Sequence, residues 1–429
     1  MSYAGHAGLE LTVVRQLPRT ISQFIPLPAV PFRATELTHH PMTRGTTVRT
    51  TSLPLMHAAL ALAGLGTALL GPILPLLASQ WHMLDSDSGL LMAAKFCGAF
   101  LGGVTVSKKL EQTLLVGFLA AALGFGGFAV APGWHAGALG LAFGGFGIGR
   151  IITATNILAG RRFTEHRGSA LAGLNLSFTI GAMLSGLGAA WLLPHFALRG
   201  VLLCFAGAFA LVGLWLRTET RGESEVVATN GFEVTPAFNG RIFAYFAALL
   251  FLYGGLETCL AGWITTFAQR YGDKTAGSFA WSEYTTALLW VSLSVGRAIA
   301  SRLMLRVGEK TVQRAGLAAT TVCVAALTAA HGGISIAVVV LLLGMSLSPF
   351  FPATFALLMA EGPTAGMAGM VIAASGLGAA SLPWLMGVTS TRTGSLVTAL
   401  GIPLGAAALM LALSFIRGSR ARTAVALKA

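Results

Sequence analysis

Residues 53–79 read LPLMHAALALAGLGTALLGPILPLLAS, a run without a single Asp, Glu, Lys or Arg. A bilayer core about 30 Å thick is crossed by roughly 20 apolar residues in an α-helix. This run exceeds that length, whereas a helix buried in a soluble core is usually shorter. The stretch therefore predicts a membrane-spanning helix, and it raises the question of how many similar stretches follow.

The composition of the whole chain agrees with a membrane protein. Of 429 residues, 55% are hydrophobic and only 10% are charged, whereas a soluble domain carries about 25% charged residues. The composition argues against a soluble enzyme, a nucleic-acid reader and a disordered scaffold. The four cysteines lie alone in different apolar stretches, so neither a disulfide framework nor a zinc site is indicated.

Twelve stretches are long and apolar enough to span a bilayer, and we number them as spans 1 to 12. Most connections between them are very short, which predicts antiparallel neighbours. The predicted spans are 53–79, 87–106, 112–131, 135–159, 168–193, 196–216, 240–269, 281–305, 311–330, 334–359, 365–388 and 394–416.

The distribution of Lys and Arg predicts the orientation, because cytoplasmic loops are enriched in both. With the N-terminus inside, 21 of the 28 basic residues lie on the cytoplasmic side. Only four lie outside: Arg199, Arg270, Lys274 and Arg392. Both termini are therefore predicted to be cytoplasmic, in a bacterial-type inner membrane. The formal charge of +13 reflects this topology and not a polyanionic partner.

The polar segments predict the domain organisation. Residues 1–52 are expected to form a flexible cytoplasmic tail, and 418–429 a second one. The longest polar interior stretch, 217–239, is predicted to be a cytoplasmic linker between a first six-helix half, 53–216, and a second half, 240–417.

The two halves share features at a nearly constant offset. Gly98 matches Gly296 at 198 residues, Ala154-Thr155 matches Ala353-Thr354 at 199, and Gly181-Ala182 matches Gly378-Ala379 at 197. Small residues recur in any helix bundle, but the basic residues Lys108 and Arg306 also match at 198. A duplicated six-helix unit is therefore predicted, and such repeats commonly flank a solute site near mid-membrane.

Several segments resemble the major facilitator superfamily. They are GGVTVSKKL (102–110) and GRAIASRLMLRVGEK (296–310), near the ends of spans 2 and 8. Others resemble the fucose/galactose/glucose permease branch: GPILP (71–75), ATN (154–156), RGSALAGLNLSFTIGAMLSG (167–186), YGGLETCLAGWITTFAQRYG (253–272), PFFPATFALLM (349–359) and ASGLGAASLPWLMG (374–387). The resemblance covers about 53–417 and implies an all-α fold of two pseudo-symmetric six-helix bundles, with sugar transport by symport.

The sequence departs from that branch at its carboxylates. Proton-coupled sugar permeases of the branch resemble one another in carrying acids in spans 1 and 4. Here TALLGPILP (67–75) has none, and the position in span 4 falls near Ile152. Exchange, facilitated diffusion and a different proton site all remain open.

Ionisable residues inside the membrane are candidates for gating or coupling, because each costs about 2.5–3.5 kcal/mol on insertion scales. Arg150 in span 4 and Glu257 in span 7 are predicted to form an ion pair between the halves that opens during transport. The alternative is that Arg150 bonds backbone carbonyls within its own half. Arg297 in span 8 is predicted to form an ion pair, and Lys95 in span 2 is expected to snorkel outward.

The candidate solute-binding residues are polar or aromatic side chains at mid-depth, of the kinds that bind a hydroxyl or the apolar face of a sugar. Tyr253 and Glu257 share a helix face at i,i+4 spacing. Pro349 and Pro352 are expected to kink span 10 beside the site. The full set is Asn156, Asn175, Tyr253, Glu257, Trp263, Phe350, Thr354 and Trp384.

No P-loop or HExxH motif is present, so neither ATP-driven pumping nor a metalloenzyme is indicated. We predict a secondary transporter of a sugar or related polar solute, with no cofactor, no metal and a coupling proton left open. Its partners would be the small solute and the lipid bilayer, without nucleic acid, and it would work as a monomer. Export of amphipathic compounds and carriage of an anionic metabolite by Arg150 are the alternatives.

Overall fold

A computed structural model describes residues 51–107, 109–162, 167–220, 240–272, 281–361 and 365–426. Every regular element in these ranges is a helix. The helices are Leu53–Ala68 with Leu70–Gln80 (span 1), Asp85–Val104 (span 2), Leu110–Ala129 (span 3), Trp134–Arg162 (span 4), Arg167–Leu192 (span 5), Leu198–Thr220 (span 6), Gly240–Tyr271 (span 7), Trp281–Val307 (span 8), Glu309–Ala329 (span 9), Gly333–Leu347 with Phe350–Met359 (span 10), Ala365–Thr393 (span 11), and Leu396–Ala399 with Gly401–Ala426 (span 12).

Each predicted span coincides with one helix or one broken pair of helices. Within the described ranges, ten spans are long and apolar enough to cross a membrane by themselves, and the bent pair of span 1 is an eleventh. Span 2 falls outside that criterion because its helix carries Asp85, Asp87 and Lys95. The architecture is therefore all-α, with two pseudo-symmetric six-helix halves.

Span 1 is bent by 40° at Leu69. Pro72 lies one turn beyond the break and has no N–H to donate to the carbonyl of Ala68, so the regular helix is interrupted there. Span 10 is also broken, between Leu347 and Phe350, and Pro349 lies at that break. Of the two prolines predicted to kink span 10, Pro349 lies at the interruption and Pro352 lies in the first turn of the helix that follows it.

The duplication is visible in how glycines pack. Gly64 of span 1 lies directly against the carbonyl of Phe178 in span 5. In the second half, Gly254 of span 7 lies against the carbonyl of Ser375 in span 11. The two contacts are related by offsets of 190 residues in the first helix and 197 in the second. A side chain at either glycine would collide with backbone, so both helix pairs require Gly.

A second contact repeats in the two halves: span 3 packs on span 4 in the first half as span 9 packs on span 10 in the second half. A Cβ atom added to Gly117 would lie 3.1 Å from the carbonyl oxygen of Gly147, and one added to Gly316 would lie 2.8 Å from that of Ser346. Both residues of this contact repeat at an offset of 199. The sequence repeat therefore corresponds to equivalent helix packing in the two halves.

The predicted polar segments are only partly described. Span 6 continues as helix to Thr220, and the rest of the linker, 221–239, lies outside the described residues, as do 1–50 of the N-terminal tail. Glu219 of span 6 accepts hydrogen bonds from the Ser52 backbone N–H at 2.9 Å and hydroxyl at 2.6 Å. Span 12 extends to Ala426, so most of the predicted C-terminal tail is helical.

Candidate functional site

Spans 1 and 7 begin at the face of the bundle where the described part of the chain begins and ends, which we call the termini face; the other is the opposite face. Midway along the 32-residue helix of span 7, the Tyr253 hydroxyl donates a 2.9 Å hydrogen bond to Glu257 Oε1. The i,i+4 spacing brings both groups to the same side of the helix. Gly254, between them, packs on span 11 and fixes how close that helix lies.

Arg297 of span 8 joins this pair and also reaches the first half. Its Nη2 lies 3.4 Å from Glu257 Oε1 and 3.5 Å from the Tyr253 hydroxyl. Its Nη1 donates to the Thr179 hydroxyl of span 5 at 3.1 Å. Thr179, Tyr253, Glu257 and Arg297, which we call the central cluster, therefore link the two halves.

The central cluster is partly exposed and keeps unused hydrogen-bonding capacity. The side chains of Arg297 and Glu257 are 29% and 21% exposed, so protein atoms do not fully enclose the ion pair. Arg297 Nε has no hydrogen-bond partner among the described residues. A long, single-contact ion pair of this kind is weaker than a bidentate one. It can exchange partners at low cost.

Aromatic rings support one side of the cluster. Phe350 of span 10 stacks on Tyr253 with ring centroids 5.1 Å apart, and Phe351 lies 5.9 Å away. Phe350 is fully buried, so it packs behind Tyr253. The break of span 10 beside Pro349 positions this ring.

The predicted pair between Arg150 and Glu257 is not formed. Arg150 Nη1 donates to the backbone carbonyl of Thr105 at 3.0 Å and to its hydroxyl at 3.2 Å, and the guanidinium lies over Phe146. The Cβ of Arg150 lies close to Gly117 of span 3, which directs the side chain toward spans 2 and 3. Arg150 is thus held within its own half, as the alternative reading proposed, and Glu257 pairs with Arg297.

Two of the predicted solute contacts are buried and bonded within the second half. The Trp263 indole N–H donates to the Pro383 carbonyl at 3.1 Å, and Thr354 accepts from Gln313 Nε2 at 2.6 Å. Both side chains are at most 1% exposed. Since their polar groups are already satisfied, we assign them packing roles.

The remaining candidates lie in three different environments. Asn156 Nδ2 donates to the Ile152 carbonyl of its own helix at 2.9 Å. Asn175 is exposed, and its backbone carbonyl accepts a hydrogen bond from the Thr179 hydroxyl of the central cluster at 2.9 Å. Trp384 is 42% exposed, and its backbone lies against Gly89 of span 2.

A second charged group closes the opposite face, and sequence reasoning did not identify it. Arg270 at the end of span 7 forms two hydrogen bonds with Asp85 at the start of span 2, at 2.5 and 2.6 Å. Ser390 of span 11 donates to the same carboxylate at 2.5 Å. Asp85, Arg270 and Ser390, which we call the latch, join the two halves. The sequence signal that could have found the latch was an acid, Asp85, just before predicted span 87–106 and a base, Arg270, just after predicted span 240–269. Both of these span ends lie on the same face.

The electrostatics of the latch favour the charged state of Asp85, which precedes the predicted span 87–106. Burial raises the pKa of this carboxyl, but hydrogen bonds from Arg270 and Ser390 and the charge of Arg270 outweigh it. The net effect holds the pKa of Asp85 below its ordinary value. The latch therefore stays ionised at neutral pH.

Close packing of small residues extends the closure inward from the latch. A Cβ on Gly186 of span 5 would lie 2.7 Å from the backbone of Ala287 in span 8, and Gly71 of span 1 lies against the carbonyl of Ala261 in span 7. Met92 of span 2 packs on Gly262 of span 7. All these residues lie in the parts of their helices nearer the opposite face, so the two halves meet there.

The comparisons with known proteins agree with this architecture. Residues 56–368 match the family profile of the Major Facilitator Superfamily. The chain belongs to this superfamily. It is therefore a multi-pass membrane transporter and not an enzyme. No curated protein matches the chain by sequence.

Solved structures of superfamily transporters share the fold. A mutant of the nucleoside transporter NupG aligns at 14% identity and a TM-score of 0.66, covering 85% of this chain and 99% of that one. A bacterial homologue of the human lysosomal transporter Spinster, inward-facing and occupied, aligns at 12% and 0.69, covering 86% and 96%. FucP, in the outward conformation, aligns at 16% and 0.55, covering 85% and 98%. This superfamily member is thus similar in fold to these solved transporters.

Proposed function

We propose that this superfamily member is a secondary transporter of a small hydroxylated solute, a sugar or related polar metabolite, by alternating access. The observation that carries the proposal is the bond from Arg297 to Thr179 beside the Glu257–Arg297 pair. A solute bound there would touch both halves at mid-depth. Superfamily transporters bind solutes at such a repeat interface.

The chemistry of the central cluster supports a hydroxylated solute. Glu257 offers carboxylate oxygens as acceptors, Arg297 offers guanidinium donors, and the Thr179 and Tyr253 hydroxyls can do either. A sugar hydroxyl is both donor and acceptor, so it can bridge the carboxylate and the guanidinium without adding charge. The Tyr253 ring, backed by Phe350, supplies an apolar surface for the C–H face of a ring.

The closed opposite face supports alternating access from this state. The latch and the small-residue contacts hold the halves together on that side, so the solute path would run to the termini face. With the predicted orientation this is an inward-facing state of a protein in a bacterial inner membrane. Breaking the latch contacts would let the halves rock about the central cluster.

The two other solute classes have less support. An anionic metabolite would need a free cation in the path, but Arg150 is engaged by Thr105 and Phe146. An amphipathic compound would use the aromatic rings beside Tyr253 and would not require the ion pair. Thermal-shift screening of sugars, nucleosides, carboxylates and lipophilic cations separates these classes, since a true ligand stabilises by RT ln(1 + [L]/Kd).

The deciding experiment is counterflow of the best-stabilising hydroxylated solute in proteoliposomes. Glu257→Gln and Arg297→Lys should each reduce the exchange rate at least about tenfold, since each loses a charge-assisted bond of about 1.5–3 kcal/mol. Glu309→Gln and Arg392→Lys, both on exposed residues, are the matched controls and should behave as the parent. Parental exchange in both cluster variants would rule out this site.

A further inference from the structure

Lys95 does not snorkel to a surface. Its side chain is 3% exposed, and its Nζ donates a 2.6 Å hydrogen bond to the backbone carbonyl of Thr67. That carbonyl belongs to the last turn of span 1 before the 40° bend at Leu69. The ammonium group also lies 4.6 Å from the centroid of the Phe96 ring. The bend in span 1 thus supplies the backbone acceptor for a lysine buried inside the first half.

Among the described residues, no anion lines the site of Lys95. The other residues that line its site are all apolar: Gly66, Leu69, Leu70, Ile73, Phe125, Phe128 and Leu141. The described titratable or charged residues of the elements packed around it are Asp85, Asp87 and Cys97 on span 2, His57 on span 1, Glu111 on span 3, His135, Arg150 and Arg162 on span 4, Arg241, Tyr245, Tyr253, Glu257, Cys259, Arg270 and Tyr271 on span 7, and Arg392 on span 11. Along its own helix, His135 lies about 9 Å from the lining residue Leu141.

The pseudo-symmetry of the halves shows that the first half lacks a carboxylate where the second half has Glu257. The offset of 190 residues that relates span 1 to span 7 places Thr67 at the position of Glu257. Lys95 lies one helical turn from the position equivalent to Arg297. In the second half the cation meets a carboxylate, whereas in the first half it meets only a carbonyl.

A fixed positive charge at Lys95 is therefore poorly compensated. An ammonium has three N–H donors, and here one carbonyl and one ring face replace its hydration. The effective cost of burying an unpaired ion is several kcal/mol, and buried groups commonly escape it by losing the charge. A neutral amine still donates to the Thr67 carbonyl, so this bond survives loss of the proton.

The site of Lys95 borders the contact between the two halves at the opposite face. On the same helix, Met92 packs on Gly262 and Gly89 packs on Trp384, both in the second half. On the other side of the site, Gly71 of span 1 packs on Ala261. Separation of the halves at this face would expose the sides of spans 1 and 2 that now contact the second half, next to Lys95 and the Thr67 carbonyl, and so open a route for water to Lys95.

We propose that Lys95 is a proton-binding site that controls the opposite face: its amine is neutral while the opposite face is closed and takes up a proton when that face opens. The proposal rests on the proposed function, since it assigns an ion to the same alternating-access cycle. The proton binds to the lone pair of Nζ when water enters and returns to water before the halves close again. Acidification should therefore favour the open state at this face.

The test measures the distance between the halves and needs no solute. Spin labels at Leu84→Cys and Thr393→Cys, in a cysteine-free background in nanodiscs, report opening between span 2 and span 11. Distance distributions are recorded from about pH 5 to about pH 9, a window above the Asp carboxyl range. The lowered pKa of Asp85 keeps the latch ionised throughout this window.

The parent should gain a longer-distance population as the pH falls. Lys95→Met should remove that response and keep the high-pH distribution, because no proton can bind. Lys95→Arg, which stays charged, should also remove it but keep the low-pH distribution at every pH. Lys310→Met, on an exposed lysine, is the matched control and should retain the parental response.

Each other outcome counts against a separate claim. If Lys95→Met responds to pH as the parent does, the titrating group is another one, with Glu257 and His57 next to be tested, and the proposal fails. If the parent shows two populations whose ratio is independent of pH, the proposal also fails while alternating access stands. If every variant shows one unchanging distance even with latch variants, the proposed function itself is contradicted.

Discussion

Arg270 and Asp85 form a bidentate ion pair between the two halves, with Nη1 to Oδ2 at 2.6 Å and Nη2 to Oδ1 at 2.5 Å. The two residues are separated by 185 positions in the chain. They lie at the ends of spans 7 and 2, where the closed face begins. The pair therefore reports directly on whether this face is closed.

Replacing Asp85 by Asn should shift the protein toward the state that is open at the opposite face. Arg270 is 41% exposed, so screening limits the worth of the pair to about 1 kcal/mol, which corresponds to about a fivefold change in the open-to-closed ratio. Labelling of Met92→Cys by a water-soluble maleimide measures the opening. Arg392→Met, on an exposed arginine of the same face, should leave labelling unchanged, and an unchanged rate in Asp85→Asn would remove the latch from the gating scheme.

Replacing Thr179 by Val should weaken solute exchange without unfolding the protein. The variant removes the acceptor for Arg297 in the first half and leaves the Glu257–Arg297 pair intact. Loss of one hydrogen bond to a charged group predicts a decrease in exchange of about tenfold. Counterflow measures the exchange, and thermal unfolding should stay close to that of the parent. A large loss of stability with parental exchange would instead indicate a packing role.

Replacing Arg150 by Met should lower stability and leave solute affinity unchanged. Arg150 bonds to Thr105 at the end of span 2, so its loss leaves a carbonyl without that partner, at a cost of about 1–3 kcal/mol. Thermal unfolding in detergent measures the first effect and a ligand titration the second. A loss of solute affinity greater than about threefold would indicate that Arg150 contributes to solute binding.

Replacing Gly378 by Ala should destabilise the second half. The added Cβ would collide with the carbonyl oxygen of Phe251, and overpacking of this kind costs about 1–3 kcal/mol. Gly405→Ala is the control, because nothing lies within 4 Å of that position in span 12. The midpoint of thermal unfolding should fall only for Gly378→Ala, and equal midpoints would contradict the close approach of spans 7 and 11.

The site was predicted in part from sequence. The i,i+4 spacing of Tyr253 and Glu257 correctly indicated a shared face, because helical periodicity is local. The partner of Glu257 was predicted wrongly, since depth along a helix does not specify which way a side chain points. The close contact between Arg150 and Gly117 decides that direction, and it depends on the packing of spans 3 and 4.

The sequence by itself determined the class, the helices and the repeat of this protein. Membrane thickness requires long apolar runs, and the glycines of the two halves recur at a near-constant offset, so both features can be found along the chain. Only the tertiary structure decided which charges meet: Glu257 with Arg297, Arg270 with Asp85, and Lys95 with a carbonyl. Ion pairs between distant spans depend on helix rotation and tilt, which are set by packing against neighbours and not by local sequence.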